Sequence, residues 1–464
     1  MKSTSSWVGT ITVVAALLLS GCGGSPSTPP PPPPHASAWT WVSGANTSKQ
    51  TGVYGTQGTA SPSNVPGARH IGVSWIDKGG HFWLFGGDGQ DSTGSFGHLN
   101  DLWKFDGNAW TWVSGANASN QAGIYGTRGT ASPSNVPGAR NFPTSWTDGT
   151  GNLWLFGGGG RDSVGTIGGL NDLWKFDGNA WTWVSGASTV SQAGVYGTQG
   201  MAGPSNVPGA RVSAISWIDS SGSLWLFGGN GYDSSGSLTF GVLNDLWKFD
   251  GNNWTWISGA TTINQPGVYG TRGVPSPSNI PGARGGSASW IDKKGNLWLF
   301  GGGGLDSTGT QGSLNDLWKF DGATWTWVSG SNTVNQSGVY GTKGTAATSD
   351  MPGAREGLIS WTDAGGNLWL FGGVGFDSTG AQDALNDLWK FDGNNWTWVD
   401  GASTVSQTGV YGTLGTASPS NVPGARGNAI SWIDSSGSFW LFGGSGLDST
   451  GKGGLLNDLW RYTP

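Results

Sequence analysis

Cysteine is all but missing from this chain of 464 residues: Cys22 is the only one, so no disulfide can form within a molecule. Glutamate is as scarce, and Glu356, the only one, cannot by itself supply paired acid and base roles. Charged residues make up only 11% of the chain and carry a formal net charge of −6, with the basic side chains scattered rather than clustered. That balance argues against a nucleic-acid or anionic-lipid surface. No polar heptad and no sustained 3.6-residue apolar period occurs, which nearly excludes helix. The G-x-S-x-G, H-E-x-x-H and P-loop patterns are absent too.

What the chain has instead is tryptophan and glycine, 31 and 87 residues respectively. Every tryptophan except Trp7 falls into six copies of one unit, opening with WTW at Trp39, Trp110, Trp181, Trp254, Trp325 and Trp396 and spaced 71, 71, 73, 71 and 71 residues apart. A fixed period of this length marks a repeat architecture. Each copy runs WTW, a Gly/Ser/Pro-rich stretch with VYG (IYG once) and PGAR, then SW, then LWLFGG or FWLFGG, then LNDLWKFDG or a close variant. Short aromatic runs bounded by Gly, Asp, Asn or Pro are strands between turns, and four per unit make a four-stranded antiparallel sheet. The tryptophans of one unit cannot offset the entropy of ordering some seventy residues. Each sheet must therefore bury both faces against neighbours, and radial stacking of six does so.

The first 38 residues read as targeting rather than fold. Residues 1–21 form a signal peptide, with Lys2 before an apolar core from Trp7 to Leu19 that is too short to span a bilayer as a mature helix. Leu19-Ser20-Gly21-Cys22 resembles the bacterial lipoprotein lipobox, which implies cleavage before Cys22 and its lipidation. Residues 22–38 follow as a spacer in which Pro29–Pro34 form stiff polyproline. By the same resemblance, Gly23 after the cysteine favours the outer membrane, in either leaflet.

The GG doublet closing an apolar strand, followed by an aromatic strand and a Trp at a set distance (Gly86-Gly87, Trp103 and Trp110 in the first copy), resembles the kelch repeat from residue 39 to 464. The resemblance implies propeller blades, with the strand from PGAR to SW innermost, then WLFGG, then NDLWKF, and WTWVSG outermost. The chain begins this region with a lone outer strand and ends on a third strand, so the expectation is an all-β, six-bladed propeller of four-stranded antiparallel blades, closed by the N-terminal strand completing the last blade. A monomer is expected. Alternating connections put the short turns on one face and the long connections, about twenty-four and about thirteen residues, on the other. Binding residues favour long loops on rigid scaffolds.

Residues repeated six times admit two readings each. The PGAR arginines Arg69, Arg140, Arg211, Arg284, Arg355 and Arg426 either ring the channel to grip an anion or pair with the Asp beginning each third strand (Asp101 and its equivalents). The loop tyrosines (Tyr54, Tyr125, Tyr196, Tyr269, Tyr340, Tyr411) either stack sugars or pin their loops. The aspartates of the DSTG-like turns (Asp91, Asp162, Asp233, Asp306, Asp377, Asp448) either bind calcium or cap turns; no other cofactor or metal is expected. The tryptophans belong to packing between blades rather than to a sugar-binding surface.

Positions that differ between copies are better candidates, because a site must break the symmetry. Just after each PGAR arginine the polar residues are His70, Asn141, Glu356 and, one position on, Asn428. After each GG come Asp88 and Gln90, Arg161, Asn230 and Tyr232, Leu305, Phe376 and Leu447, where Leu and Phe at exposed loop positions suggest a partner surface. Galactose oxidase, an enzyme built on a kelch propeller, needs a Cys-linked Tyr, a second Tyr and two His; with its sole cysteine at the anchor this chain cannot assemble that copper site. Sialidases offer another comparison, since Asp77, Gly80 and Trp83 resemble an Asp-box with one extra residue between Asp and Gly. The reading that results is a membrane-anchored, non-enzymatic propeller binding a glycan or a protein, held to the membrane only by its lipid; the alternative is a glycan-active enzyme at the channel mouth.

Overall fold

The computed structural model describes residues 37–236 and 239–464, and the expected signal peptide, the lipid site expected at Cys22 and the expected polyproline run lie outside them. The described residues contain no helix. They form six antiparallel blades that repeat one plan, the fifth of them divided into a four-stranded and a three-stranded sheet. In the first, an inner strand of two pieces (Arg69–His70 and Val73–Ile76) pairs with a second strand, Phe82–Gln90. That strand pairs with a third, Phe96–Phe105, and the third with an outer strand, Trp110–Ser114. The inner strands Val73–Ile76, Thr144–Thr147, Ile215–Ile218, Ala288–Ile291, Ile359–Thr362 and Ile430–Ile433 each touch the next, and the last touches the first. The chain is a six-bladed β-propeller. Its sixth blade takes its outer strand from Ala38–Ser43, which pairs with the chain-terminal strand Gly453–Thr463 from Ala38↔Thr463 to Ser43↔Leu459.

Tryptophan holds blade to blade. The inner-strand Trp75 donates its indole N–H to the Trp154 carbonyl of the next blade at 3.0 Å, and Trp432 closes the circle onto Trp83 at 3.1 Å. Each apolar cluster joins two blades; one packs Trp217, Phe227 and Leu246 of blade 3 against Leu299, Trp318 and Trp325 of blade 4. Neither face of a sheet is left to water, which is why one unit could not fold alone.

The structure corrects the expected strands in three places. First, the inner strand is broken at a left-handed residue: Ile71 (φ 51°), Phe142 (48°), Ser213 (56°), Gly286 (66°), Gly357 (61°) and Asn428 (57°). These six join in a closed ring of backbone hydrogen bonds around the channel. Phe142 donates to Ile71 at 2.9 Å, Ser213 to Phe142 at 3.1 Å, Gly286 to Ser213 and Gly357 to Gly286 at 3.0 Å, Asn428 to Gly357 at 2.7 Å, and Ile71 to Asn428 at 2.9 Å. An extended backbone would aim these N–H groups within its own sheet; the left-handed turn aims them at the neighbouring blade.

Second, the thirteen-residue connection after GG is mostly strand. The second and third strands continue past a bulge at Gly86-Gly87, where both φ values are positive (62° and 91°), and only a tight turn at Asp91–Ser95 separates them. The third strand carries the extra residue, so that Asn100 and Asp101 together lie opposite Gly86 and are buried. Third, the long connection does not stay on the mouth face. Its middle runs along the rim of the blade it enters, where Gly58 and Ser61 donate to the Trp112 and Trp110 carbonyls at 2.8 and 3.3 Å. The outer strand has an open edge, and the connection covers it.

Candidate functional site

The sixfold-repeated polar groups turn inward and satisfy one another. Arg69 is fully buried and makes a two-pronged ion pair with Asp101, Nη1 to Oδ1 and Nη2 to Oδ2 at 2.7 Å each. Its Nε donates to the Gly67 carbonyl at 3.1 Å and Nη1 also to Gly86 at 3.1 Å, so the bulge that exposes the Gly86 oxygen completes the arginine's shell. Asp101 further accepts the Tyr54 hydroxyl at 2.6 Å and the Trp103 indole at 2.7 Å. The same four residues meet in every blade, down to Tyr411, Arg426, Asp458 and Trp460. Burial works against the arginine's charge, but the aspartate outweighs it and Arg69 is held above its ordinary pKa. Burial, reinforced by the same carboxylate, pushes Tyr54 far above its ordinary value.

The aspartates of the DSTG-like turns are closed in the same way. Asp91 Oδ1 accepts from the Thr93 amide (2.9 Å), the Thr93 hydroxyl (2.7 Å) and the Ser95 amide (3.0 Å), and Oδ2 accepts from the Ser119 amide at 3.0 Å. Burial alone would raise its pKa, yet these donors hold it at about 2. A calcium site needs converging oxygens, and this carboxylate is surrounded by N–H and O–H groups instead, so the turn does not fit the cation. Among the described residues no three His, Cys, Asp or Glu side chains converge as metal ligands.

Beside the channel ring, pairing sets one residue from each of the inner, second and third strands abreast, and this row differs from blade to blade. It reads His70, Asp88, His98 in blade 1; Asn141, Gly159, Gly169 in blade 2; and Val212, Asn230, Val242 in blade 3. Blades 4, 5 and 6 read Gly285, Gly303, Ser313; Glu356, Val374, Ala384; and Gly427, Ser445, Leu455. Each inner-row residue lies over the second-strand position of the preceding blade. Asn141 Nδ2 donates to Asp88 Oδ2 at 2.9 Å, Val212 packs at Gly159, and the Glu356 carboxylate fills the space a Cβ at Gly303 would need.

Two polar groupings emerge from this row. In blade 1, Asp88 is hydrogen-bonded to His98 Nδ1 through Oδ1 and to Asn141 through Oδ2. Burial would raise the Asp88 carboxyl, but these donors and the nearby histidine charge bring it below its ordinary range. His70, next to it across the strands, has a buried Nδ1 without a partner among the described residues. Desolvation lowers its pKa more than Asp88 restores it. In blades 4 and 5, Glu356 borders a cleft of about 470 Å³ with Asn230, Gln311, Ser313, Asn335 and Gln382. Its carboxyl is raised by desolvation alone, with no charged neighbour acting on it.

The other sequence candidates lie apart. Asn428 belongs to the channel ring through its backbone. Arg161 Nη1 is tied to the Gly165 carbonyl at 2.7 Å, and the Tyr232 hydroxyl donates to Ser191 at 3.1 Å with its ring edge-on to Phe240. Leu305, Phe376 and Leu447 are not on exposed loops but in strands: Leu305 is buried against Val242 and Ala283, and Phe376 and Leu447 are half-buried. The extended hairpin that replaces the loop accounts for the difference. His98, Gln311, Gln382 and Asn335 were not singled out by sequence, since their importance appears only when the three strands are read in register.

No family model matches the chain, and no curated relative does. Among solved structures it is similar to YjhT, at 15% identity over 85% of this chain and 95% of that one, with a TM-score of 0.48. It is also similar to a fungal alcohol oxidase of the AA5 family solved in complex with copper, at 13% identity over 88% and 77% of the two chains, with a TM-score of 0.44. The propeller assignment rests on the closed circle of inner strands described above.

Proposed function

We propose that this protein is a non-enzymatic binding propeller, carried on a lipid at Cys22 in the outer membrane of the cell envelope, with a glycan or protein ligand on the face of the long connections. One observation carries the reading. Each repeated Arg, Asp and Tyr is buried in a closed network, whereas the residues that differ between blades share one register row beside the channel ring on that face. Such a row presents different chemistry at each of six places on a rigid frame, which is what recognition of an irregular ligand requires. A glycan hydrolase would need two carboxyl groups flanking the scissile bond. Glu356 has no charged neighbour acting on it, which supports binding over turnover.

The test is retention of the full chain by immobilised envelope polysaccharides and envelope proteins. Asn141→Ala with His98→Ala should weaken retention, whereas Lys294→Ala, on the short-turn face, should leave it unchanged. Retention that depends on Lys294 and ignores the row residues would refute the assignment of the face. Turnover of a retained glycan, lost in Glu356→Gln with the fold intact, would refute the non-enzymatic reading.

A further inference from the structure

The Glu356 cleft is lined by polar side chains and glycine backbone. Its volume of about 470 Å³ lies within the range of small-molecule sites. The glycines make the room. Blade 4 carries Gly285 and Gly303 where blade 1 carries His70 and Asp88, and a side chain at Gly303 would strike the Glu356 carboxylate. A Cβ at Gly285 would in turn lie 3.1 Å from Asn230 Nδ2. The rest of the lining is Gln311, Ser313, Asn335 and Gln382 with glycine backbone, and it includes no aliphatic or aromatic side chain.

Three features narrow the ligand. An apolar molecule, or the methylene stem of a lysine, would find nothing there to bury against. Side-chain amides both donate and accept, as neighbouring hydroxyls on a ring require, and Asn335, whose Oδ1 accepts the Ser313 amide at 3.0 Å, keeps its NH2 for a ligand. Glu356 is exposed to the cleft, its carboxylate makes no ion pair or hydrogen bond within the described residues, and the whole chain carries a net charge of −6, so a cation is the complementary partner for it.

We propose that this cleft is a subsite for a hexosamine with a free amino group, its ammonium paired with Glu356 and its hydroxyls held by the side-chain amides of Gln311, Gln382, Asn230 and Asn335. The assignment rests on the binding reading above and specifies the glycan chemistry at one place in the row.

The experiment is titration of D-glucosamine into the full chain by calorimetry, with N-acetyl-D-glucosamine, D-glucose and cadaverine as parallel probes. Glucosamine should bind saturably, and each of the other three about tenfold more weakly or worse, the factor expected when one charge-assisted hydrogen bond or its complementary hydroxyls are lost. Glu356→Gln keeps shape and removes charge, and should weaken glucosamine about tenfold or more. Gly303→Val places in blade 4 the residue that blade 5 already carries at Val374, and should fill the cleft to the same effect. The proposal is overturned by an absence of saturable glucosamine binding, by equal binding of N-acetyl-D-glucosamine or of glucose, or by indifference to Glu356→Gln. Equal binding of cadaverine overturns the sugar assignment. If glucosamine fails while Asn141→Ala with His98→Ala still weakens envelope retention, the subsite is wrong and the proposed function stands; if Lys294→Ala is the variant that weakens retention, the proposed function itself fails.

Discussion

Six buried tyrosines make the propeller's stability steeply dependent on alkaline pH. Tyr54, Tyr125, Tyr196, Tyr269, Tyr340 and Tyr411 each donate to a buried aspartate at 2.6 Å. Burial first, and the adjacent carboxylate second, hold all six far above the ordinary tyrosine value of 10.0. Tyr462 is also raised, by burial, to about 12. Below pH 10 both the folded and the unfolded chain keep these hydroxyls protonated, and the full stability is present. Above pH 10 the unfolded chain releases protons that the folded chain retains, so stability falls as pH rises. Each tyrosine contributes about 1.4 kcal/mol per pH unit, and six or seven together about 8 to 10 kcal/mol per unit, as much as the whole stability of many domains. Urea unfolding followed by tryptophan fluorescence between pH 8 and about 11.5 should therefore show a plateau, then a collapse within about one unit above pH 10. A single Tyr269→Phe sharpens the test. At pH 7 it should cost about 1.5 to 3 kcal/mol, the value of a hydrogen bond to a charged group. Above pH 10 the variant loses one releasable proton from the slope, so the gap between its stability and that of the wild type should narrow by about 1.4 kcal/mol per pH unit. A flat profile to about pH 11.5, or tyrosinate absorbance rising in the folded protein near pH 10, would refute the buried-network reasoning.

Asp316→Ala should be far more damaging than Tyr269→Phe, because it strands the buried Arg284 charge, at a cost of about 3 to 5 kcal/mol. It also removes the acceptor of Tyr269 and Trp318, about 1 to 3 kcal/mol each. Equal midpoints of urea unfolding for the two variants would contradict the network. Gly138→Ala should destabilise through backbone collision, since a Cβ there would run into the Arg161 carbonyl, whereas Gly129→Ala, with nothing near it, should cost only the strain of its positive φ. Deleting Ala38–Ser43 should open the circle between blades 5 and 6 and expose Phe371 and Trp460, which a rise in dye binding and a lowered melting temperature would report. His70 is held neutral by burial, so part of the stability should disappear as pH falls below 6.5, where the unfolded chain protonates this residue. His70→Asn should remove that portion, and an unchanged acid profile would speak against it.

Some of the candidate site could be read from the chain and some could not, and the division follows the bulge at the GG doublet. His70, Asn141 and Glu356 stand out in sequence because they break the repeat immediately after an arginine that does not vary. Asp88 stands out as well, in the variable stretch after GG, but His98 and Gly303 do not, and nothing in the spacing shows which of these residues meet. Asp88 meets His98 and Asn141 across 10 and 53 residues of chain, and Glu356 lies over Gly303 of the preceding blade. Both meetings depend on the register that the bulge sets and on the left-handed residue that turns each inner strand toward its neighbour.

The sequence alone determined the blade. Aromatic strands separated by Gly, Asp and Pro turns, repeated six times with too little core in any one copy, leave mutual burial between sheets as the way to remove the tryptophans from water. Tertiary structure decided everything that depends on distance between strands. The repeated arginine and tyrosine became a buried network because a bulged third strand brings an aspartate between them. The expected loop became a hairpin because its glycines can adopt the φ values that pairing needs. The cleft at Glu356 exists because Gly303 in one blade faces a carboxylate from the next, a juxtaposition that repeat spacing alone does not encode.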